Sequence, residues 1–162
     1  MDVAERAKRI KLLLMDCDGV LTDGRLYFSE SGEALKVFHV RDGQGIAMWH
    51  TAGKYSGIIS GRDAERIISR RAEELGIHHL KLKLADKVKD FESILATSGL
   101  TAEETCFIGD DLGDIELMKH VGLSVAVADA VSETRSAAHF VTGNRGGKGA
   151  VRELIEMLLR AH

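Results

Sequence analysis

Two acidic residues stand two positions apart at the end of a short apolar run, and their spacing suits metal and phosphoryl chemistry. The run at 12–15 leads directly into Asp16 and Asp18. Side chains alternate along an extended segment, so the two carboxylates are expected to point the same way and Cys17 the opposite way. Converging carboxylates repel unless a cation lies between them, and hard oxygen ligands suit Mg²⁺. We therefore expect Asp16 to act as a nucleophile and Asp18 as a general acid/base beside a magnesium ion.

Further polar residues follow other apolar runs. Ligands bind at the carboxyl ends of the strands in open parallel sheets, so these residues are expected to meet the first pair. A carboxylate would join the metal, and a hydroxyl, a glycine amide and a lysine would surround a phosphate. The metal ligands are then Asp16, Asp18 and Asp110, and the phosphate-binding residues are Ser60, Gly61 and Lys87.

The elements that must position these residues are apolar runs that alternate with helix-like segments. Buried strands are predicted at 11–16, 55–60, 79–82, 105–109, 123–127 and 139–142, and a hairpin is predicted at 25–38 with its turn at Gly32. Helices are predicted at 43–53, 62–75, 86–98 and from 111, and an amphipathic helix carries Val151, Leu154, Ile155, Leu158 and Leu159. Continuous apolar strands separated by helices predict an α/β fold with a Rossmann-like, doubly wound parallel sheet.

The bulk composition excludes several classes of protein. The 162 residues suit one domain, and a net charge of −3 argues against a nucleic-acid partner. No apolar run approaches the roughly 20 residues of a membrane span, so no membrane partner is expected. The start of the chain lacks a secretory segment, so we expect a cytoplasmic protein. Cys17 and Cys106 lie in apolar runs and are interpreted as buried, reduced thiols.

Four motifs of this chain resemble, in order, those of the haloacid dehalogenase superfamily of phosphatases. They are DCDGVLTDG, IISGR, ADK and IGDDLGD, and the match spans residues 12–114. The resemblance implies the roles already assigned, with an aspartyl-phosphate intermediate and with the backbone carbonyl of Asp18 on the metal. It adds Asp111 and Asp114 as ligands in a second layer, reached through water.

The superfamily usually inserts a cap domain, and this chain lacks room for one. Only 43 residues separate Asp16 from Ser60, and 26 separate Ser60 from Lys87. The chain therefore resembles the capless branch. Within that branch, TDGRLYFSESGEALKVFHVRDGQGI, GLSVAVADA and GGKGAVRE resemble the family that hydrolyses 3-deoxy-D-manno-octulosonate 8-phosphate, a lipopolysaccharide precursor.

This second resemblance implies a small-molecule sugar acid phosphate as substrate and a homo-oligomer, in the form of a tetramer. The implied substrate-binding residues are His39, Val40, Arg41, Asp42, Gly43, Arg62 and Arg71. Two points stay open: whether Arg70 or Arg71 faces the site, and whether the hairpin closes its own site or that of a neighbour.

Three alternative functions remain at this point. A nine-carbon sugar acid 9-phosphate is an alternative substrate, and an inactive regulatory domain is a second alternative. A receiver-like phosphoacceptor is the third, although receivers place adjacent acids after their first strand, unlike Asp16 and Asp18. The glycine-rich stretch at 143–149 has Gly149 where a phosphate loop needs Ser or Thr, so it is interpreted as the lead into the last helix.

Overall fold

The computed structural model describes residues 1–62, 64–83 and 86–162, and these form eight strands. The strands are β1 (Leu12–Met15), β2 (Tyr27–Ser29), β3 (Gly32–Leu35), β4 (Tyr55–Ser60), β5 (His79–Leu82), β6 (Thr105–Gly109), β7 (Leu123–Ala126) and β8 (Phe140–Val141). Six of them form one parallel sheet in the order β5-β4-β1-β6-β7-β8. The predicted parallel α/β sheet is confirmed.

The centre of the sheet is β1, and it places the candidate residues on adjacent strand ends. Met15 pairs with Ile58 of β4 and with Ile108 of β6, so all three strands end at the same edge. Every residue of β1 and β6 is buried, which means that both faces of the sheet are covered. This burial explains why these strands have continuous apolar sequences rather than alternating ones.

Seven helices connect and cover the strands in the described part of the chain. They are α1 (Val3–Ala7), α2 (Val40–Thr51), α3 (Glu65–Leu75), α4 (Lys87–Ser98), α5 (Ile115–Met118), α6 (Ser132–Ala137) and α7 (Ala150–Ala161). In α7, Val151, Leu154 and Ile155 are fully buried, which confirms the predicted amphipathic helix. None of these helices has the length and apolar character of a membrane span.

The predicted hairpin is formed by β2 and β3, which pair with each other and not with the main sheet. Gly32 has a φ of 108°, as a turn at this position requires. Phe28, Leu35 and Val37 are exposed on the hairpin at 66%, 47% and 52%. The hairpin therefore presents an apolar outer surface.

Several boundaries differ from the prediction. The helix predicted at 43–53 begins at Val40, because His39 Nδ1 accepts a hydrogen bond from the Arg41 N–H and caps it. The helix predicted from 111 is a short 3₁₀ turn at Leu112–Asp114 followed by α5. The helix predicted at 62–75 begins at Glu65. Asp63 of that helix and Ala85 of the third motif lie outside the described residues.

Candidate active site

The loop after β1 carries the first two acids and turns tightly. Asp16 is still extended, but the backbone then turns through Cys17–Leu21, with Gly19 at a φ of 91°. A Cβ on Gly19 would overlap the carboxylate of Asp110, so glycine is required for this approach. Thr22 Oγ1 accepts hydrogen bonds from the Gly19 and Gly24 N–H groups, at 3.3 and 3.2 Å. The loop is therefore fixed against the end of β6.

The glycine-rich lead into α7 packs on the other side of this loop. The Gly147 N–H donates to the Val20 carbonyl at 2.9 Å. A Cβ on Gly146 would overlap the Gly19 carbonyl, while the Gly146 N–H donates to Asp129 Oδ1 at 2.9 Å. The interpretation of 143–149 as a structural lead is consistent with these backbone contacts.

Three carboxylates converge at this edge of the sheet. Asp16, Asp110 and Asp114 each offer an oxygen within 4.8 Å of the others. Asp114 is buried, and its Oδ2 accepts hydrogen bonds from the Asp110 and Asp111 N–H groups at 2.8 and 3.2 Å. Asp110 Oδ1 is shielded from solvent and has no hydrogen-bond partner among the described residues. An unpartnered oxygen in a cluster of acids is the environment that a cation would complete.

Burial and mutual repulsion raise the pKa values of two acids in this cluster. Burial raises the pKa of Asp16 to about 6, with Lys87 opposing the rise and Asp114 adding to it. Burial also raises the pKa of Asp110 to about 8, helped by the negative charges of Asp16, Asp114 and Asp111. A divalent cation would remove this repulsion, so the residues present fit Mg²⁺.

Lys87 faces the nucleophile candidate from the first turn of α4. Asp86 caps this helix, its Oδ1 accepting from the Val88 N–H at 3.0 Å. Lys87 Nζ lies 3.2 Å from Asp16 Oδ1 and 2.6 Å from Asp114 Oδ1. Burial lowers the pKa of Lys87, but the two carboxylates outweigh burial and the pKa is raised overall. The lysine is therefore a fixed cation beside Asp16.

Asp18 lies in the same cavity but its side chain contacts a different group. Its Oδ1 lies 2.5 Å from Lys36 Nζ, and its Oδ2 lies 3.7 Å from Arg62 Nε. Lys36 also contacts Glu33 Oε1 at 2.7 Å, and Arg62 Nη2 lies 3.5 Å from Glu33 Oε2. The carboxylate that joins Asp16 and Asp110 is thus that of Asp114, whereas the side chain of Asp18 is paired with the hairpin.

Lys36 and Glu33 were not singled out from the sequence. The signal that could have found Lys36 is a lysine inside an otherwise apolar run, ALKVF. The signal for Glu33 is its position three residues earlier on the same hairpin. Both residues depend on how the hairpin docks, which no local pattern encodes.

The acids, the phosphate-binding candidates and Arg62 surround one cavity of about 250 Å³. Ser60 is buried and contributes from the end of β4, next to Gly61. The structure thus brings together Asp16, Asp18, Ser60, Gly61, Arg62, Lys87, Asp110, Asp111 and Asp114, and it adds Gly113.

The stretch 39–43 lies outside this cavity. Asp42 is 1% exposed and its Oδ1 accepts a hydrogen bond from the Arg152 N–H at 2.9 Å, at the start of α7. Val40 is 79% exposed, and Arg41 is also exposed at the start of α2. Gly43 lies against the Arg71 guanidinium, where a Cβ would be 2.7 Å from Nη2. Within one chain, these residues do not reach the cluster of acids.

Arg71 lies in a second, open groove of about 740 Å³ between the hairpin and α3. It stacks over the Phe38 ring at 5.4 Å and pairs with Glu74 at 3.0 Å. The side chain of Arg70 also borders this groove but is 81% exposed and pairs with Glu73. Of the two arginines, Arg71 is the one packed against the body of the protein.

Comparison with known proteins identifies the class to which this fold and cluster belong. The sequence profile described as haloacid dehalogenase-like hydrolase matches residues 76–154. The 3-deoxy-D-manno-octulosonate 8-phosphate phosphatase of Yersinia pestis is 46% identical over 160 residues, covering 99% of this chain and 85% of that protein. The corresponding phosphatase of Escherichia coli is 44% identical over 160 residues, with the same coverage.

Solved structures agree with the sequence matches. The Y. pestis phosphatase superposes with a TM-score of 0.95 at 46% identity, over 99% of this chain and 86% of that one. The enzyme from Moraxella catarrhalis, solved in complex with a magnesium ion, a phosphate ion and a KDO molecule, has a TM-score of 0.93 at 35% identity, over 98% and 91%. The cobalt-bound enzyme from Haemophilus influenzae has a TM-score of 0.94 at 42% identity, over 96% and 91%.

The chain belongs to the haloacid dehalogenase-like hydrolases. Within them it belongs to the family of the 3-deoxy-D-manno-octulosonate 8-phosphate phosphatases. Three predictions are confirmed: the family resemblance of the four motifs, the capless α/β fold and the activity class of a phosphoric monoester hydrolase.

Proposed function

We propose that the protein hydrolyses 3-deoxy-D-manno-octulosonate 8-phosphate to the free sugar acid and phosphate, with Mg²⁺ and through an aspartyl phosphate. The observation that carries this proposal is the convergence of Asp16, Asp18, Lys87 and Asp110 on one cavity at the end of β1. The names of the relatives support the substrate, and the magnesium, phosphate and KDO of the M. catarrhalis structure support the ligands.

The proposed reaction has two steps. Asp16 attacks phosphorus, and Asp18 gives a proton to the sugar oxygen as its bond to phosphorus breaks. A water molecule then attacks the phosphorus of the aspartyl phosphate, giving a proton to Asp18 and releasing phosphate and the Asp16 carboxylate.

The remaining groups hold the phosphate and its charge. Lys87, the Ser60 hydroxyl and the Gly61 N–H are the proposed phosphate donors. Asp16 and Asp110, with the backbone carbonyl of Asp18, are the proposed metal ligands. Asp111 and Asp114 are proposed to act through water, and Asp114 also offers an oxygen to the cluster directly. Mg²⁺ would supply the positive charge that offsets the phosphoryl oxygens.

Recognition of the sugar acid is proposed to involve Arg62 within the chain and residues from a neighbouring chain. His39, Val40, Arg41, Asp42, Gly43 and Arg71 are proposed substrate-binding residues, and all of them lie away from the cavity of their own chain. In the proposed homotetramer, neighbouring chains close each other's sites. The exposed residues of this set would then contact substrate bound in the cavity of a neighbouring chain. The exposed apolar side chains of Phe28, Leu35 and Val37 are the surface that such an assembly would bury.

A screen of phosphate release over sugar phosphates with MgCl₂ tests this proposal. The highest kcat/KM is expected for the eight-carbon 8-phosphate. A higher value for a nine-carbon 9-phosphate would reassign the substrate, and release of no more than one equivalent would indicate a phosphoacceptor.

Light scattering of the active protein tests the assembly, since a monomer mass excludes shared sites. The cytoplasmic location stays a prediction.

A further inference from the structure

The side chain of Lys36 is fully buried, although it belongs to the hairpin segment whose outer face is exposed. Its ammonium lies between two carboxylates, 2.5 Å from Asp18 Oδ1 and 2.7 Å from Glu33 Oε1. A buried ammonium is costly unless it is paired and hydrogen-bonded, and both contacts meet that need. The position of one Asp18 oxygen is therefore fixed by a residue from outside the four motifs.

The other oxygen of Asp18 is in a different environment. Asp18 Oδ2 is shielded from solvent and has no hydrogen-bond partner within the described part of the chain. Arg62 Nε lies 3.7 Å from Asp18 Oδ2, beyond hydrogen-bond distance. Buried polar atoms without a partner are rare, and Asp18 lines the cavity in which a ligand would supply the missing partner. The two oxygens of Asp18 therefore differ: Oδ1 is held by Lys36, and Oδ2 has no hydrogen-bond partner among the residues that the structure describes.

Glu33 provides a second contact that restrains the lysine. Its Oε1 accepts from Lys36, and its Oε2 lies 3.5 Å from Arg62 Nη2. An ammonium held between two carboxylates loses the freedom to swing with its four-carbon stem. The hairpin thus supplies a rigid donor rather than a mobile surface lysine.

We propose that Lys36, held by Glu33, is a positioning residue that fixes Asp18 Oδ1 so that Oδ2 exchanges the proton with the sugar oxygen. The proposal deepens the proposed phosphatase function and rests on it. In the first step Oδ2 donates its proton to the oxygen whose bond to phosphorus breaks, while the bond from Asp16 to phosphorus forms. In the second step Oδ2 accepts a proton from the attacking water.

The test compares Lys36→Met with wild type on two phosphate esters. The sugar acid phosphate has an alkoxide leaving group, which needs a proton, whereas p-nitrophenyl phosphate has a leaving group that departs without one. Release of the leaving group is measured in the first turnover by rapid mixing. The sugar ester should lose about 10–100-fold in rate, because misplaced catalytic groups typically cost about that much, and the nitrophenyl ester should lose far less. For the sugar ester, kcat should fall while KM changes little.

Two further variants keep the result interpretable. Lys11→Met removes another lysine from an ion pair, with Glu104 at 2.6 Å at the opposite end of β1, and should leave both rates unchanged. Glu33→Gln retains Lys36 but weakens the contact that restrains it. The rate for the sugar ester should therefore fall by a smaller factor than in Lys36→Met, again with far less loss for the nitrophenyl ester. This second variant decides the question if Lys36→Met folds poorly by circular dichroism.

The outcomes separate this inference from the proposed function. Equal losses for both esters in folded Lys36→Met or Glu33→Gln overturn the positioning role. The double variant that combines Lys36→Met with Asp18→Asn provides a second test. If its first-turnover rate is lower than that of Asp18→Asn alone, the lysine acts without Asp18 and the positioning role is overturned. A wild-type protein that releases phosphate from neither ester overturns the proposed function itself, and the inference with it.

Discussion

Lys87 Nζ lies 2.6 Å from Asp114 Oδ1, so the cation that faces Asp16 is fixed by an acid from the loop after β6. The other oxygen of Asp114 accepts the N–H groups of Asp110 and Asp111. One buried carboxylate therefore links the start of α4 to the loop that carries Asp110. Its loss is expected to disturb Lys87 and the proposed metal ligand Asp110 together.

Replacing Asp114 should weaken metal binding more than replacing its neighbour Asp111. Asp114→Asn keeps the shape of the side chain but removes the charge beside Lys87. Because losing an outer partner of a metal site typically costs about 10–100-fold in affinity, the Mg²⁺ concentration for half-maximal activity should rise by that factor. Asp111→Asn is the matched control, and an equal effect of both variants would contradict the role of Asp114.

Asp16→Asn should abolish phosphate release without unfolding the protein. The amide cannot form the aspartyl phosphate, so the rate should fall by at least about a thousandfold. Thermal melting should show no large loss of stability, because the substitution removes one of three mutually repelling carboxylates. Near-normal turnover by a folded variant would exclude Asp16 as nucleophile.

Mg²⁺ should stabilise the folded protein, and EDTA should remove its activity. A ligand that binds only the folded state at 100 times its Kd adds about 2.7 kcal/mol, which corresponds to about 5–10 °C in melting temperature for a domain of this size. Calorimetry with MgCl₂ and with NaCl at equal ionic strength measures the shift. The shift should disappear in Asp110→Asn, and full activity after exhaustive chelation would refute the metal requirement.

Arg62→Ala should reduce activity on the sugar acid more than on a neutral sugar phosphate. Arg62 lines the cavity, and its side chain is 42% exposed, so it can reach a substrate carboxylate. A charge pair at a partly exposed side chain typically contributes up to about 1 kcal/mol, so kcat/KM for the sugar acid should fall by roughly fivefold. Equal losses on both substrates would instead indicate that Arg62 acts through Asp18 and Glu33.

His50 should make the protein less stable as the pH falls towards 5.5. Burial, with His78 beside it, lowers the pKa of His50, so the unfolded chain takes up this proton at a higher pH than the folded protein does. The free energy of unfolding of wild type should therefore decrease relative to that of His50→Gln between pH 7.5 and 5.5. The difference between the two proteins is the quantity to measure, because the raised pKa values of Asp16 and Asp110 act in the opposite direction.

The His50 prediction is tested by urea unfolding at several pH values. These experiments give the free energies of unfolding of wild type and of His50→Gln. If their difference stays constant, or moves in favour of wild type as the pH falls, His50 does not carry this pH dependence.

The strand ends were predictable because buried parallel strands have continuous apolar sequences that stop where the polar residues begin. The runs before Asp16, Gly61 and Asp110 show this plainly. The orientation of Asp18 was not predictable, since alternation of side chains applies to extended backbone. The chain leaves that conformation directly after Asp16, and Asp18 lies in the turn Cys17–Leu21.

Contacts made by the hairpin were also beyond sequence reasoning. Lys36 is a polar residue among apolar ones, and only the docking of β2 and β3 shows that Asp18 is its partner. The early start of α2 was missed because the capping acceptor is the ring nitrogen of His39, not one of the usual short polar side chains. The Lys36–Asp18 contact and the His39 cap both depend on how the folded chain places the two groups, so no local sequence pattern predicts them.

The contact of Gly146 and Gly147 with the loop after β1 has a consequence for synthesis on the ribosome. The residues that cover Gly19 and Val20 lie more than 120 positions later in the chain. Contacts of such large sequence separation form late, because their loop must close first. A nascent chain that has not yet been synthesised as far as this glycine pair holds Asp16 and Asp18 in a loop that lacks these backbone contacts.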